Sequence, residues 1–338
     1  MTNSQTLKTL ISVLTLSMTA LALSVPALAD YPERRIDAVV PWGAGGSTDN
    51  MARSLTPHVE EVLGTDIVIN NRPGGTGVIG TNVVRTRPAN GYSLLYGAEN
   101  AQLYPILELA DFDYGDLHPV SLIGQGIVLI VAPAGKAWND FGDLLAEASA
   151  NPGQLRMGDA GAGGLPSTVL AMINAVDELD VRSVTFGGDG PAITAMLGNH
   201  LDFMPMALAS AQEQIRAGNL KVLTVLSDES VEQLPDAPPI TDFLPEMESF
   251  LPWGPFWGAY VRQDTPDTIK ATLESAYAEA IAHEDFQAFL DRNGATSLNL
   301  QGEEAQDFLS RWQSVTSWAM EDAGSAKVSP ETLGIPRP

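Results

Sequence analysis

From Asp30 onward the chain alternates short β-branched runs with stretches of helical period, and glycine clusters mark the change from one to the other. That alternation is the pattern of α/β architecture, in which strands pair in a sheet and helices cover its faces. Ile36–Val40 reads as the first strand. Met51, Leu55, Val59 and Leu63 recur at helical spacing, so a helix spans about 49–63, with Pro57 expected to kink it and Gly64 to end it as a left-handed C′ residue. Further strands are expected at 67–69, 93–96, 120–123, 127–131, 155–158, 183–186, 201–204, 222–226 and 257–261. Helices are expected at 78–87, 141–150, 167–176, 191–197, 212–217, 266–283, 284–293 and 303–323. The last carries Phe308, Leu309, Trp312, Val315 and Ala319 on one stripe, so Trp312 and Trp318 read as packing residues.

With 338 residues the chain is long enough for two hydrophobic cores. Composition shifts near 132–136, at Pro133 and Gly135, and again near 250–256, after a proline-rich stretch. Two crossings between lobes are therefore expected. One lobe is discontinuous, 30–131 plus 256–338; the other is the inserted segment 132–255. Paired crossings make a natural hinge, because few residues absorb the change in φ and ψ.

The start of the chain has the order of an export signal. Lys8 precedes an apolar run over 10–23, and Ala27-Leu28-Ala29 supplies small residues before Asp30. Residues 1–29 are read as a signal peptide cleaved after Ala29, which sends the protein to the periplasm. Cysteine is absent, which excludes disulfides and thiolate metal sites. The net charge of −24 repels nucleic acid and works against long-range steering of an anionic ligand, so local donors must hold one.

The segment Pro41-Trp42-Gly43-Ala44-Gly45-Gly46-Ser47-Thr48-Asp49 lies between the first strand and the first helix. Its glycines let a ligand reach main-chain N–H groups, Ser47, Thr48 or Asp49 is expected to cap the helix, and Trp42 offers a flat apolar wall. Helix N-termini of this kind favour a carboxylate. A second cluster, Arg72-Pro73-Gly74-Gly75-Thr76-Gly77-Val78-Ile79-Gly80, contains a formal G-x-G-x-x-G with Glu99 downstream. Arg72-Pro73 separates it from its strand, so a dinucleotide site is disfavoured. Two further glycine-rich turns, Gly161-Ala162-Gly163-Gly164 leading to Ser167 and Gly188-Asp189-Gly190-Pro191, precede helices in the inserted segment. Together these turns look like two facing halves of one anion-binding cleft.

Catalytic patterns such as G-x-S-x-G, G-K-[ST] and H-E-x-x-H are missing, and His58, His118, His200 and His283 show no metal-ligand spacing. No enzyme activity, metal or cofactor is expected. The rival from another class is an exported α/β hydrolase.

The ordered set Tyr31-Pro32, Val40–Asp49, Ala52-Arg53, Asn71–Gly80 and Asn90–Leu95 resembles the substrate-binding proteins of tripartite tricarboxylate transporters, also called Bug-type receptors. Leu234-Pro235-Asp236-Ala237-Pro238 and Trp257-Gly258-Ala259 are similar to later signatures of that family. The resemblance implies a type II periplasmic binding-protein fold, two α/β lobes with a ligand cleft between them. It implies a monomeric receptor that captures a small organic carboxylate by lobe closure and delivers it to membrane permease subunits. A receptor that serves a signalling partner is the alternative. The ligand-binding residues it implies are Trp42, Gly43, Ala44, Gly45, Gly46, Ser47, Thr48 and Asp49 in the first loop and Gly75, Thr76 and Gly77 in the second. In the opposing lobe they are Gly161, Ala162, Gly163, Gly164, Ser167, Gly188, Asp189, Gly190 and Pro191. The sequence departs from the pattern at Trp42-Gly43-Ala44, Gly164, Ser167 and Phe186-Gly187-Gly188, which leaves the fold expectation intact and the ligand open.

Overall fold

Strand β1 (Ile36–Val40) pairs in parallel with β2 (Ile67–Asn71) on one side and β3 (Ser93–Ala98) on the other. The connections run through α1 (Ser47–Leu63) and α2 (Val78–Thr86), as parallel pairing requires a crossover. The computed structural model describes residues 31–338, and 34–338 cluster as one body. The expected signal peptide and its cleavage after Ala29 lie outside the described residues.

The larger sheet is completed by β4 (Leu117–Gly126), β10 (Phe256–Arg262) and β11 (Ala295–Leu300), in the order β11-β4-β10-β3-β1-β2. Strand β10 is antiparallel to both β3 and β4. Helices α7 (Asp267–Ile281), α8 (Glu284–Arg292) and α9 (Gly302–Asp322) belong to the same part of the chain. Ile36, Ala38, Val39 and Val40 are all buried, the continuous burial of a strand covered on both faces. Helix α1 is held on this sheet by a buried hydroxyl relay. Thr56 Oγ1 donates to Ala52 O at 2.7 Å and lies 2.9 Å from the Tyr96 hydroxyl, to which Tyr277 donates at 2.8 Å.

A second set of strands comes from the middle of the chain. β5 (Val128–Pro133) lies between β8 (Met204–Ala207) and β9 (Leu220–Val225), antiparallel to both. β6 (Arg156–Asp159) and β7 (Arg182–Thr185) form a parallel pair, bridged to this sheet region through Met157 and Phe203. The associated helices are α3 (Phe141–Ala150), α4 (Leu165–Val176), α5 (Asp189–Leu197) and α6 (Leu208–Arg216). Leu129, Val131, Met196, Met204 and Met206 pack in a core of their own. The fold is thus two α/β lobes.

The chain changes sheet between Gly126 and Val128, a few residues before Pro133 and Gly135, whose punctuation marks the turn after β5 instead. It returns before β10, and the two crossings touch: Gly126 N donates to Pro255 O at 2.8 Å.

Several expectations are corrected. Helix α1 runs through Pro57 without a break, because Pro57 lies on the exposed face, where the carbonyl left without a partner meets water. The strand expected at 201–204 lies at Met204–Ala207, since Asp202 is engaged by the Arg156 main-chain N–H at 2.8 Å and by its guanidinium. Strand β11 falls in a stretch left unassigned from sequence.

Candidate functional site

Beyond Val40 the chain turns through Trp42–Gly46 into α1, at the carboxyl end of β1, the edge where open α/β sheets place ligands. Gly45 takes φ +79°, a left-handed value that favours glycine. Asp49 braces the turn from inside the helix. Its carboxylate accepts from Gly45 N at 2.9 Å, Arg53 Nε at 3.0 Å and Asn71 Nδ2 at 2.9 Å. Burial pushes the Asp49 pKa up, but the bonds from Arg53, Gly45 and Asn71 outweigh it and hold the carboxyl below its ordinary value.

The cap expected from Ser47, Thr48 or Asp49 is not formed. Gly46 is the N-cap and makes no side-chain bond. The first turn is served instead from the other lobe: the Ser47 main-chain N–H and hydroxyl bond to the Asp189 carboxyl, which also accepts from Ser210 Oγ. Gly43 N donates to Gly187 O at 2.7 Å. A Cβ on Gly190 would stand 2.0 Å from Ala44 O, so only a residue without a side chain lets these loops meet. Gly43 is similarly packed against Pro191.

Between the lobes lies a cavity. Trp42, Gly46, Ser47 and Thr48 line it from the first lobe, and Gly188 and Asp189 from the second. The remaining residues expected at the site shape its surroundings. Gly45 faces open space, and Gly43, Ala44, Gly190 and Pro191 form the contact between loops. Thr76, between Gly75 and Gly77, has φ 52° and presents its hydroxyl to Gly161, while its carbonyl accepts from Asn100 Nδ2 at 2.6 Å and Tyr104 OH at 3.0 Å. Gly163, beside Ala162, packs on Leu107, and Gly164 is the N-cap of α4. Ser167 donates to Gly161 O at 2.8 Å and Gly164 O at 3.0 Å, so its hydroxyl is spent within the turn.

Sequence reasoning missed Ala98, Glu99, Ala160, Leu165, Pro166 and Pro255, which complete the lining. Glu99 is the informative omission. It follows β3 directly, so an acid at the carboxyl end of a parallel strand was the available signal. The side chain is 5% exposed, its Oε2 has no hydrogen-bond partner, and burial together with the nearby Asp189 charge pushes its pKa up to about 8. Burial also raises Asp189, against the bonds from Ser210 and Ser47. Among the described residues no Lys, Arg or His lines the cavity.

One group that could hold a metal lies elsewhere. His58, His283 and Asp285 bring ligand atoms within 4.8 Å of one another, a convergence that sequence spacing did not reveal. His58 sits roughly 16 Å along α1 from its start at 1.5 Å per residue, and His283 Nδ1 already accepts from Asp285 N at 3.2 Å as the cap of α8. Trp312 and Trp318 donate to the main-chain carbonyls of Gly254 and Pro336 and do not reach the cavity.

A family model described as the tripartite tricarboxylate transporter family receptor matches residues 51–317. The chain is 27% identical to protein BugT of Bordetella pertussis over 327 residues, covering 90% of this chain and 96% of that protein. Among solved structures, the periplasmic binding protein BugD superposes with a TM-score of 0.80 at 26% identity, covering 88% of this chain and 99% of BugD. MatC from Rhodopseudomonas palustris, solved with bound malate, gives 0.76 at 26% identity, covering 85% of this chain and 100% of MatC.

Proposed function

We propose that this chain, which belongs to the tripartite tricarboxylate transporter receptor family, captures a small organic carboxylate between its lobes and delivers it to membrane permease subunits. The observation that carries this reading is that turns from two different sheets, Trp42–Thr48 and Gly188–Asp189, close on one cavity with Leu165 and Pro166. First-turn N–H groups have no acceptor four residues back within their own helix, so that of Leu165 offers a donor to a carboxylate at the end of a helix dipole. MatC, which resembles this chain over its whole length, holds malate.

The boundary expected between 131 and 132 is moved to the change of sheet near Gly126, so the lobes are taken as 30–126 plus 256–338 and 127–255. The ligand docks on one lobe and the other closes over it, because only the closed form makes both sets of contacts. Trp42, Gly46, Ser47, Thr48, Gly188 and Asp189 face the ligand. Gly43, Ala44, Gly45, Asp49, Gly75, Thr76, Gly77, Gly161, Ala162, Gly163, Gly164, Ser167, Gly190 and Pro191 belong to the turns around the cavity and do not line it. The receptor works as a monomer in the periplasm after removal of its signal peptide, and no bond is made or broken in the ligand.

The test is calorimetry of the chain lacking residues 1–29 against mono-, di- and tricarboxylates. Saturable binding of at least one carboxylate is expected. If every carboxylate is silent while another class of solute binds, the reading fails.

A further inference from the structure

We infer that the captured ligand is an amino-carboxylate zwitterion, whose cationic nitrogen sits between Glu99 and Asp189 beside Trp42. The inference rests on the carboxylate reading above and adds the ligand's second group.

The first observation is a vacancy in hydrogen bonding. Glu99 is 5% exposed, lines the cavity, and leaves Oε2 without a partner. A buried carboxyl oxygen in that state costs free energy unless a ligand or a proton satisfies it. The second observation is that Asp189 has taken the N-terminus of α1, the place where sequence alone led us to expect the ligand's own carboxylate. Burial raises its pKa and the bonds from Ser210 and Ser47 act against that rise, while its charge acts on Glu99. Two carboxyls therefore share one cavity whose lining offers no cation. The other titratable groups acting with Glu99 are the phenols of Tyr104, Tyr114 and Tyr260, which burial keeps neutral.

An organic ammonium answers each point. It donates to the free Glu99 oxygen, neutralises the repulsion between the two carboxyls, and gains from the face of an indole such as Trp42. The ligand carboxylate then falls to the first turn of α4, at Leu165, away from the acids. The whole molecule points the same way. At a net charge of −24 a polyanion is repelled during approach, whereas a zwitterion has no net charge to repel.

Isothermal titration at pH 7 decides the matter with matched pairs: butyrate against 4-aminobutyrate, and succinate against aspartate. At least one amino member should bind about tenfold or more tighter than its plain partner. Glu99→Gln and, separately, Asp189→Asn should remove that preference, with circular dichroism unchanged in both. If plain carboxylates bind as well as their amino partners, and Glu99→Gln keeps or tightens that binding, the inference is overturned. Glu99 would then serve as a protonated donor to an anion, and the carboxylate reading would stand. If neither member of either pair binds and no other carboxylate does, the carboxylate reading falls and takes the inference with it.

Discussion

Asp49 and Glu99 are both carboxyls with little exposure, 3% and 5%; burial raises both, yet they end on opposite sides of the ordinary value because their partners differ. Asp49 has three donors, and these overcome the desolvation that would raise it. Its lowered folded pKa means that its stabilisation is present above the ordinary carboxylate value and is lost as pH falls through the folded one. Asp49→Asn keeps the shape and removes the charge, so it should cost about 1–3 kcal/mol at pH 7. In urea denaturation the gap to wild type should close below roughly pH 4, the ordinary aspartate value. Glu99 has an unpartnered oxygen, and its pKa rises to about 8. The folded state then holds a proton that the unfolded chain releases near pH 4.3. This contribution is fully present below about pH 4.3 and is lost as pH rises through 8. Ligand-free wild type should therefore lose stability between pH 5 and 8.5 relative to Glu99→Gln, which has no proton to release. Parallel pH dependences of the two proteins would show that Glu99 does not titrate in that window.

At the scale of elements, the strand–helix alternation was legible because each unit carries its own period and its own stop signal. Helix α3 is an example: Phe141, Leu144 and Ala148 form its buried face, and Asp140 caps it through Asp143 N at 3.1 Å, all within one local stretch. Helix α1 was legible in its length and its Gly64 end, where φ is 66°. Its beginning was not, because the group that serves Ser47 belongs to Asp189, brought in from the other lobe. Strand β11 was illegible for a different reason. It is an edge strand with mixed burial and an irregular register against β4 between Ser297 and Leu300, so it lacks the strict alternation that marks a half-buried strand. The site divides in the same way. The glycine-rich turns are local motifs and could be read. Glu99 was signalled only by its place directly after β3, whereas Ala160 and Pro255 bear on the cavity through the approach of separate segments, which no local pattern announces.

Closure is a property of the whole molecule, and one atom pair tests it. Gly190 stands at the start of α5 and Ala44 in the turn before α1, so their contact joins the two lobes. A methyl group at Gly190 would lie 2.0 Å from Ala44 O, far inside van der Waals contact, and the obstacle is main chain that cannot swing away. Gly190 has no left-handed φ, so alanine there strains neither lobe by itself. Gly190→Ala should keep the wild-type melting temperature without ligand, hold the lobes apart, and weaken ligand binding about tenfold or more, because contacts that need both lobes are lost together. Small-angle scattering should show that saturating ligand compacts the wild type and leaves this variant expanded. Gly45→Ala is the control with the opposite logic. No atom lies within 4 Å of its added methyl, yet φ is +79°, so it should cost about 1 kcal/mol of stability and leave affinity and compaction intact. If Gly190→Ala binds and compacts like wild type, the two loops do not have to meet for capture, and the cleft must close along some other seam.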